Sequence, residues 1–265
     1  MTELDVSGRR CLSFAVSGKW AHFRRIDTTN DKQTYRVIPR TTASGLIAAI
    51  LGEPRDSYYD KFASTASAMA IVPERELRTM SIPMLTVPTT EADLGTSEVT
   101  TGKTFVKPST IEEERQRRTF EYVCQPRYRI HFILDNNDWF ERLRDRLNAR
   151  DAKTPAEEHQ PRVRPVYTPS LGKSECLAEI TDPVVGTVSS TVKADHVDST
   201  VPESRLTPQT NVSYDLERTP TYMEQDGDGR RTTGFETYAY PRDGNGIELN
   251  GISAHEINGQ TVCFI

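Results

Sequence analysis

The stretch RCLSFAVSGKWAHFRRIDTTNDKQTYRVIPRTTASGLIAAILG, residues 10–52, carries the pattern from which the fold is predicted. Its opening run, RCLSFAV at 10–16, is apolar and rich in β-favouring residues, and it ends before Gly18. This run predicts a buried strand. Residues 19–25 then bring basic and aromatic side chains together. Such a mixture can hold a single-stranded nucleic acid, and it can also cover an ordinary surface.

The second half of this stretch predicts a helix. Thr41 or Thr42 can act as the N-cap of ASGLIAAIL at 43–51. Gly52 follows directly and provides a C-terminal stop, because glycine readily adopts the left-handed conformation that ends many helices. The opening of the chain therefore predicts a strand, a loop and a helix.

Two further segments predict strands. AMAIVPERELRTMSIPMLTV, at 68–87, alternates well enough for one bent strand or two short ones, interrupted at Pro73 and Pro83. QPRYRIHFIL, at 125–134, alternates apolar with mostly polar residues and predicts a strand with half of its side chains in a core.

A second helix is predicted after residue 134. Asn136 or Asn137 can cap it, and Trp139, Leu143 and Leu147 recur at a spacing of four residues. Arginines cover the opposite side of this helix and are interpreted as a solvated face. A linker-like segment separates the helix from the next apolar run.

The strand CLAEI, at 176–180, completes the order β-α-β-β-α-β. This order predicts an α+β, ferredoxin-like domain over residues 1–181, the architecture of RNA-recognition modules and of many unrelated proteins. From residue 182 onward, short β-like runs are separated by the turn segments DGDG and DGNG. They predict a β-rich C-terminal extension, residues 182–265.

Residues 89–124 form an insertion between the predicted second and third strands. It is longer than a typical connection, and such segments are usually functional or mobile. Three glutamates at 112–114 precede several arginines, so intrahelical ion pairs could neutralise part of the positive charge. The basic residues of the insertion are Lys103, Lys107, Arg115, Arg117 and Arg118.

The 265 residues carry a net charge of −5 that is unevenly distributed. Residues 1–150 hold 23 Lys and Arg against 20 Asp and Glu, whereas residues 151–265 hold 10 against 18. A polyanionic ligand is therefore expected to meet the first part of the chain. Of the 33 basic residues, 25 are arginine. This bias fits a salt-loving source, although GC-rich coding would produce it too.

Several classes of protein are excluded. The apolar runs fall far short of the roughly 20 residues that a membrane helix needs. The N-terminus carries Glu3 and Asp5 rather than the basic residues and long apolar core of a secretory signal, so a cytoplasmic location is expected. Four widely spaced cysteines predict buried, reduced thiols rather than disulfides or a metal site. Three Gly-Lys pairs lack the preceding glycine of a phosphate-binding loop. No cofactor is expected.

Three motifs together point to a family. They are GKWAHFR at 18–24, TYRVIPRTTASGLIAAILG at 34–52, and YTPSLGKSECLAEI at 167–180. With these motifs the sequence closely resembles the Cas-five family of the RAMP superfamily. Its members are subunits of type I CRISPR Cascade complexes that grip the repeat-derived five-prime handle of the guide RNA. Element order extends the resemblance over about the whole chain.

The resemblance implies where RNA would be bound. The loop after the first strand, the turn before the first helix and the glycine-containing loop near residue 172 would contact it, and the 89–124 insertion would act as a thumb. Basic side chains suit phosphates, and Trp20 and His22 suit stacked bases. Trp20 and Phe23 could equally pack under the sheet. The expected contacts are Gly18, Lys19, Trp20, His22, Arg24, Arg25, Arg40, Thr41, Lys103, Lys107, Arg115, Arg117, Arg118 and Lys173.

The resemblance also implies partners: guide RNA, the Cascade backbone subunit, the large subunit and, indirectly, target DNA. Subtype I-B is the preferred placement. One CRISPR subtype uses a family member to cut precursor RNA with tyrosine, lysine and histidine. Tyr35 stands where that tyrosine would be, but no adjacent Lys-His pair exists and His131 lies within a predicted strand. A non-catalytic subunit is therefore preferred over an endoribonuclease or a stand-alone RNA-binding module.

Overall fold

The computed structural model describes residues 4–25, 31–86, 116–148, 169–206, 212–227 and 229–265. In these residues the chain is predominantly β-structure, with sixteen strands and two α-helices. The main sheet has four strands, and every neighbouring pair in it is antiparallel. In spatial order its strands are β10 (Glu179–Thr187), β1 (Arg10–Ser17), β9 (Arg127–Leu134) and β6 (Ser67–Pro73).

The two α-helices lie between strands of this sheet in chain order. The helix α1 (Arg40–Leu51) follows β1, and α2 (Asn137–Asn148) follows β9. The strands and helices of this unit therefore occur as β1, α1, β6, β9, α2 and β10. Both helices contribute side chains to the hydrophobic cluster that covers one face of the sheet.

Both faces of the main sheet are buried, which corrects the expectation that only half of the 125–134 strand faces a core. Phe132 of β9 belongs to the cluster that includes the helices, whereas Ile133 belongs to a second cluster with Val262 and Phe264. The C-terminal part of the chain thus covers the face that the helices leave open. An alternating sequence pattern shows which residues share a face, but it does not show what covers that face.

A buried polar network connects the main sheet to the C-terminal segment. His131 Nδ1 lies 2.7 Å from Ser13 Oγ, and His131 Nε2 lies 2.9 Å from Gln260 Oε1. Asn258 Nδ2 donates a hydrogen bond of 2.8 Å to the same Ser13 hydroxyl. These bonds satisfy polar groups that burial would otherwise penalise.

The helix α1 begins two or three residues earlier than predicted. Neither threonine is its N-cap: the helix starts at Arg40 after Pro39, and the amides of Thr42 and Ala43 both donate to the Pro39 carbonyl. Pro39 has φ −62° and ψ 147°, an extended conformation that suits the residue before a helix. Gly52 ends the helix as predicted, with φ 76° in the left-handed region.

The helix α2 matches its sequence pattern, with one difference at Trp139. Asn136 Oδ1 accepts a 3.0 Å hydrogen bond from the Trp139 amide, which makes Asn136 the cap. Leu143 and Leu147 are buried, but Trp139 is only half-buried. The arginine face is not simply solvated, because Arg146 donates to the Ile50 carbonyl at the end of α1.

A second sheet is built around β8 (Gln116–Cys124), which pairs with β7 (Arg78–Thr86), β2 (Trp20–Ala21) and β4 (Asp31–Lys32). The strand β8 occupies the end of the predicted insertion, so Arg117 and Arg118 lie in a strand and the proposed intrahelical pairing does not apply to them. The rest of the insertion, including Lys103, Lys107 and Arg115, lies outside the described residues.

The C-terminal part is rich in β-structure, as its turn segments predict. The strand β13 (Tyr214–Asp226) forms a long hairpin with β14 (Gly229–Pro241), to which the short β12 (Val201–Pro202) adds. A further sheet holds β11 (Val192–Val197), β15 (Ile247–Ile257) and β16 (Gln260–Val262).

The boundary that the sequence suggested between residues 181 and 182 falls inside β10, which runs on to Thr187. The short strands β3 (Phe23–Arg24) and β5 (Thr34–Tyr35) pair near the start of α1. Among the described residues, neither α-helix has the length and apolar character needed to cross a bilayer, and no His, Cys, Asp and Glu cluster could hold a metal ion. The four cysteines are free.

Candidate nucleic-acid interface

The basic cleft, as we name it, has a volume of about 680 Å³ and is lined by four parts of the chain. These are the loop after β1, the first turns of α1, the loop 170–173 and the hairpin of β13 and β14. Arg24, Lys173 and Arg230 supply its basic side chains, and none of the described residues that line it is acidic. The cleft therefore suits an anionic ligand.

Two glycines allow the loop after β1 and the segment around residues 170–177 to approach each other. A side chain on Gly18 would come within 2.9 Å of the Leu177 carbonyl oxygen. Gly172 has φ +92°, and a β-carbon there would lie 2.0 Å from the main-chain oxygen of His22. Because real β-carbons cannot come so close, both motifs require glycine. The segments 18–22 and 171–177, far apart in sequence, therefore meet backbone to backbone.

Main-chain hydrogen bonds hold the loop around Gly172 in place. The His22 amide donates to the Leu171 carbonyl at 3.0 Å, and the Leu171 amide donates to Cys176 O at 2.8 Å. The amide of Cys176 in turn donates to Lys173 O at 2.9 Å. Leu171 is fully buried beneath the loop. These hydrogen bonds fix the backbone of the loop and therefore the position from which the Lys173 side chain extends.

The ammonium group of Lys173 lies over an aromatic strand. It is 4.1 Å from the centre of the Phe120 ring and 5.9 Å from that of Tyr122, both on β8. Lys173 Nζ also forms a 2.6 Å ion pair with Glu175. Although burial disfavours the charged form, the hydrogen bond to Glu175 raises the pKa of Lys173 above its ordinary value. Lys173 is therefore a positioned positive charge.

His22 is not the exposed stacking platform that was expected. It is only 2% exposed, and its ring lies 5.7 Å from Phe120 and 5.5 Å from Tyr122, centre to centre. Its Nδ1 donates a 2.7 Å hydrogen bond to the carbonyl of Glu121. Burial lowers the pKa of His22 and favours the neutral ring. His22 therefore joins the loop after β1 to β8, and its side chain stays largely inside.

Arg40 is likewise not a surface contact. Its side chain is buried at 2% exposure, where Nη1 donates to the Phe62 carbonyl at 2.7 Å and Nη2 donates to Ser67 Oγ at 2.9 Å. Burial lowers its pKa. Sequence reasoning took the Pro-Arg-Thr-Thr turn as exposed, but the C-terminal segment covers it: Arg40 Nε also donates to the main-chain oxygen of Ile265.

The structure brings only some of the other expected residues to the basic cleft. Arg24 and Thr41 line it together with Lys173. Trp20 is half-buried, with its ring edge-on to Tyr122 at 6.2 Å. The guanidinium carbon of Arg25 lies 5.5 Å from the centre of the Tyr35 ring.

Other expected residues lie apart from the cleft lining. Lys19 is exposed, and the Gly18 amide donates a 3.2 Å hydrogen bond to the Pro126 carbonyl. On β8, Arg117 is exposed and Arg118 bonds to Gln116 Oε1. These positions stay predictions of RNA contact.

Sequence reasoning missed two contributors to this region. Arg230 belongs to the segment DGDGRR, which reads as a turn, and only the folding of the β13–β14 hairpin brings it to the cleft. Phe120 lies within the predicted insertion, and its alternation with Tyr122 was the available signal that they share a strand face.

A family model described as CRISPR-associated protein (Cas_Cas5) matches residues 11–239. The chain belongs to this family. The match includes the loop after β1, the helix α1, the loop 170–173 and the hairpin residue Arg230, which together line the basic cleft. No curated protein matches the chain.

Two solved structures are similar to this Cas5-family chain. One is the crystal structure of a CRISPR protein from Archaeoglobus fulgidus, with a TM-score of 0.51 and 13% identity over 96% of this chain and 98% of that one. Another chain belongs to a CRISPR RNA-guided surveillance complex, with a TM-score of 0.47 and 10% identity over 91% of each chain. The first likeness supports the fold; these identities do not carry over any site.

Proposed function

We propose that this chain is a non-catalytic subunit of a type I CRISPR Cascade complex and that its basic cleft holds the five-prime handle of the guide RNA. The observation that carries the proposal is the convergence of Arg24, Lys173 and Arg230 in a cleft whose described lining has no acidic residue. Family membership supports a CRISPR effector subunit. The cleft supplies the chemistry that such a subunit would need for RNA.

The cleft suits single-stranded RNA for two physical reasons. Its three basic side chains can neutralise phosphates, and α1 begins beside them with no acidic residue in its first turn. A helix amino terminus favours a negative charge. The half-buried ring of Phe120 on the adjoining β8 offers a surface for an unpaired base, which double-stranded RNA would not present.

The non-catalytic reading is supported by where the candidate catalytic groups lie. Tyr35 is buried beside Arg25, and His131 is fully buried between Ser13 and Gln260. A general acid or base must come within hydrogen-bond reach of the reacting hydroxyl. The fully buried ring of His131 has no such reach. Tyr35 lines the basic cleft but is only 5% exposed, and the chain has no adjacent Lys-His pair to act with it.

The fold of the RNA-binding unit is proposed to be ferredoxin-like, as in RAMP proteins. Support comes from the antiparallel order β10-β1-β9-β6 with α1 and α2 on one face. We propose that the hairpin of β7 and β8 is the base of the thumb; residues 89–115 of the expected thumb lie outside the described residues. Its described end carries Arg117 and Arg118.

The assembly proposed for this subunit is of subtype I-B and cytoplasmic. It would contact guide RNA, the backbone subunit and the large subunit, and it would meet target DNA only through the complex. Basic residues exceed acidic ones only over residues 1–150; of the three basic residues in the cleft, Arg24 lies there, whereas Lys173 and Arg230 come from the acidic remainder. A haloarchaeal source would fit the excess of arginine over lysine.

The proposal is tested by RNA binding across a salt series. The triple variant Arg24→Ala, Lys173→Ala and Arg230→Ala should bind a repeat-derived five-prime RNA more weakly, and its slope of log affinity against log salt should fall by about 2, or ~0.7 per lost phosphate contact. The matched control removes three basic residues outside the cleft, Lys193, Arg231 and Arg242. Equal slopes in the two triple variants would reject the cleft as the binding site.

The enzyme alternative needs a separate assay. The purified chain, incubated with labelled repeat RNA and no divalent metal, should leave the RNA intact. Specific cleavage that disappears in Tyr35→Phe would instead establish the endoribonuclease function.

A further inference from the structure

A second cleft adjoins the basic cleft along α1. This aromatic cleft has a volume of about 550 Å³ and lies between the first turns of α1, residues 56–64 and the strand β13. Thr41, Tyr58 and Met223 line both clefts. Its volume is within the roughly 300–1,000 Å³ of small-ligand sites. A ligand in one cleft can therefore extend into the other.

The walls of the aromatic cleft carry fixed rings. Tyr58 and Tyr59 line it with their ring centres 5.1 Å apart, and Tyr222 lines it from β13. The guanidinium carbon of buried Arg40 lies 4.5 Å from the centre of the Tyr222 ring. Tyr59 and Tyr222 are half-buried, so part of each side chain faces the cleft. Rings held in this way can stack against another flat group without being ordered first.

A buried hydroxyl in this cleft has no partner. Ser44 of α1 lines the cleft and is 5% exposed, yet its Oγ makes no hydrogen bond within the part of the chain that the structure describes. Buried polar groups are nearly always hydrogen-bonded, so an unpaired one calls for a ligand or a bound water. A hydroxyl can both donate and accept, as the edge of a nucleobase requires.

The charges of the two clefts differ in sign. Three basic residues line the basic cleft, and none of its described lining is acidic. The aromatic cleft is lined by Asp56, Asp60 and Glu224 together with the buried Arg40, so its acidic residues are in excess. Carboxylates repel phosphate but can accept hydrogen bonds from the amino groups of bases. An RNA strand can thus keep its phosphates in the basic cleft, on one side of Thr41, and place an uncharged, flat base in the aromatic cleft on the other side.

We infer that the aromatic cleft binds one unpaired nucleobase of the RNA strand whose backbone occupies the basic cleft. This inference rests on the proposed function and adds a base pocket to it. Tyr59 and Tyr222 provide the stacking surfaces, and Ser44 provides the hydrogen bond at the base edge.

The inference is tested by abasic scanning of the repeat-derived RNA. With the unaltered chain, removing the base at one position should weaken binding at least about 5-fold, as the loss of one stacked base does. In the Tyr59→Leu variant, removing the base at this RNA position should no longer weaken binding, while any losses of affinity at other abasic positions should persist. Tyr59→Phe, which keeps the ring, should retain the penalty, and Tyr214→Leu, outside both clefts, is the matched control.

A second variant guards against misfolding of Tyr59→Leu. Ser44→Ala removes one oxygen atom, and it should reduce the penalty at the same RNA position. If neither Tyr59→Leu nor Ser44→Ala changes the penalty at any position, the aromatic cleft does not hold a base. This result would leave the proposed function standing as long as the basic-cleft triple variant still loses affinity. If the basic-cleft triple variant instead bound the RNA as tightly as the unaltered chain, the proposed function itself would be rejected.

Discussion

Lys173 Nζ lies 4.1 Å from the centre of the Phe120 ring, which connects the loop 170–173 to the strand β8. The two residues come from segments that are far apart in the sequence. Lys173 was predicted to lie in a glycine-containing loop, and Phe120 in an insertion. Their contact places a cation, an aromatic surface and the ion-pair partner Glu175 at one edge of the basic cleft. RNA affinity should therefore depend on the ring as well as on the charge.

Phe120→Leu should weaken RNA binding even though it changes no charge. The ring positions Lys173 through a cation–π contact worth about 0.5–1 kcal/mol at a partly exposed site, so the expected loss is about 2- to 5-fold. Phe120→Tyr should retain affinity. The measurement is the dissociation constant for repeat-derived RNA. Unchanged affinity in Phe120→Leu would show that Lys173 binds without the ring or does not bind RNA.

Gly172→Ala should displace the loop that carries Lys173. The backbone at this glycine has φ +92°, and a methyl group would meet the His22 carbonyl. Strain in this region costs about 1–3 kcal/mol, and we expect a comparable loss of stability together with weaker RNA binding. Gly227→Ala is the control, because that glycine has φ +57° but no atom within 4 Å of the added carbon. A Gly172→Ala chain as stable as this control would contradict the close approach.

Arg40→Met should destabilise the fold. Removing the guanidinium leaves the Phe62 carbonyl and the Ser67 side chain without their buried donors, and such losses cost about 2–4 kcal/mol. Urea denaturation measures the change in the free energy of unfolding. Arg24→Ala, at an exposed position, should alter stability by less than about 0.5 kcal/mol. If Arg40→Met unfolds at the same urea concentration as the unaltered chain, Arg40 does not have this structural role.

Stability should decrease as the pH falls below 6.5, in part through His131. Burial lowers the pKa of His131 to about 4, whereas the unfolded value is near 6.5. Between these values the unfolded chain binds one proton more than the folded chain, so acidification favours unfolding by up to about 1.4 kcal/mol per pH unit. His131→Gln should reduce this slope, measured as the free energy of unfolding between pH 7 and 4.5.

His196 provides the opposite control for this pH dependence. Partial burial by itself would lower the pKa of His196, but hydrogen bonds to Glu248 and Asp198 raise this pKa above its ordinary value. A raised pKa adds stability at low pH that is lost as the pH rises. His196→Gln should therefore steepen the loss on acidification. If both variants lose stability with falling pH at the same rate as the unaltered chain, these histidines are not the source of the pH dependence.

Local patterns in the sequence determined much of the secondary structure. The apolar run at 10–16 forms β1, Gly52 ends α1, and Asn136 caps α2. These features depend on neighbouring residues and on the periods of strands and helices, which a sequence displays directly. The motifs at 18–24 and 167–180 likewise marked two segments that meet in the structure.

Only the tertiary structure decided which of the marked residues face a ligand. Arg40 and His22 look like surface residues in sequence, but segments distant in sequence cover them and bond to them through Ile265 and Glu121. Arg230 reaches the basic cleft only because a hairpin folds back over α1. The burial of a side chain depends on long-range packing, and local periodicity carries no information about which distant segment will pack against it.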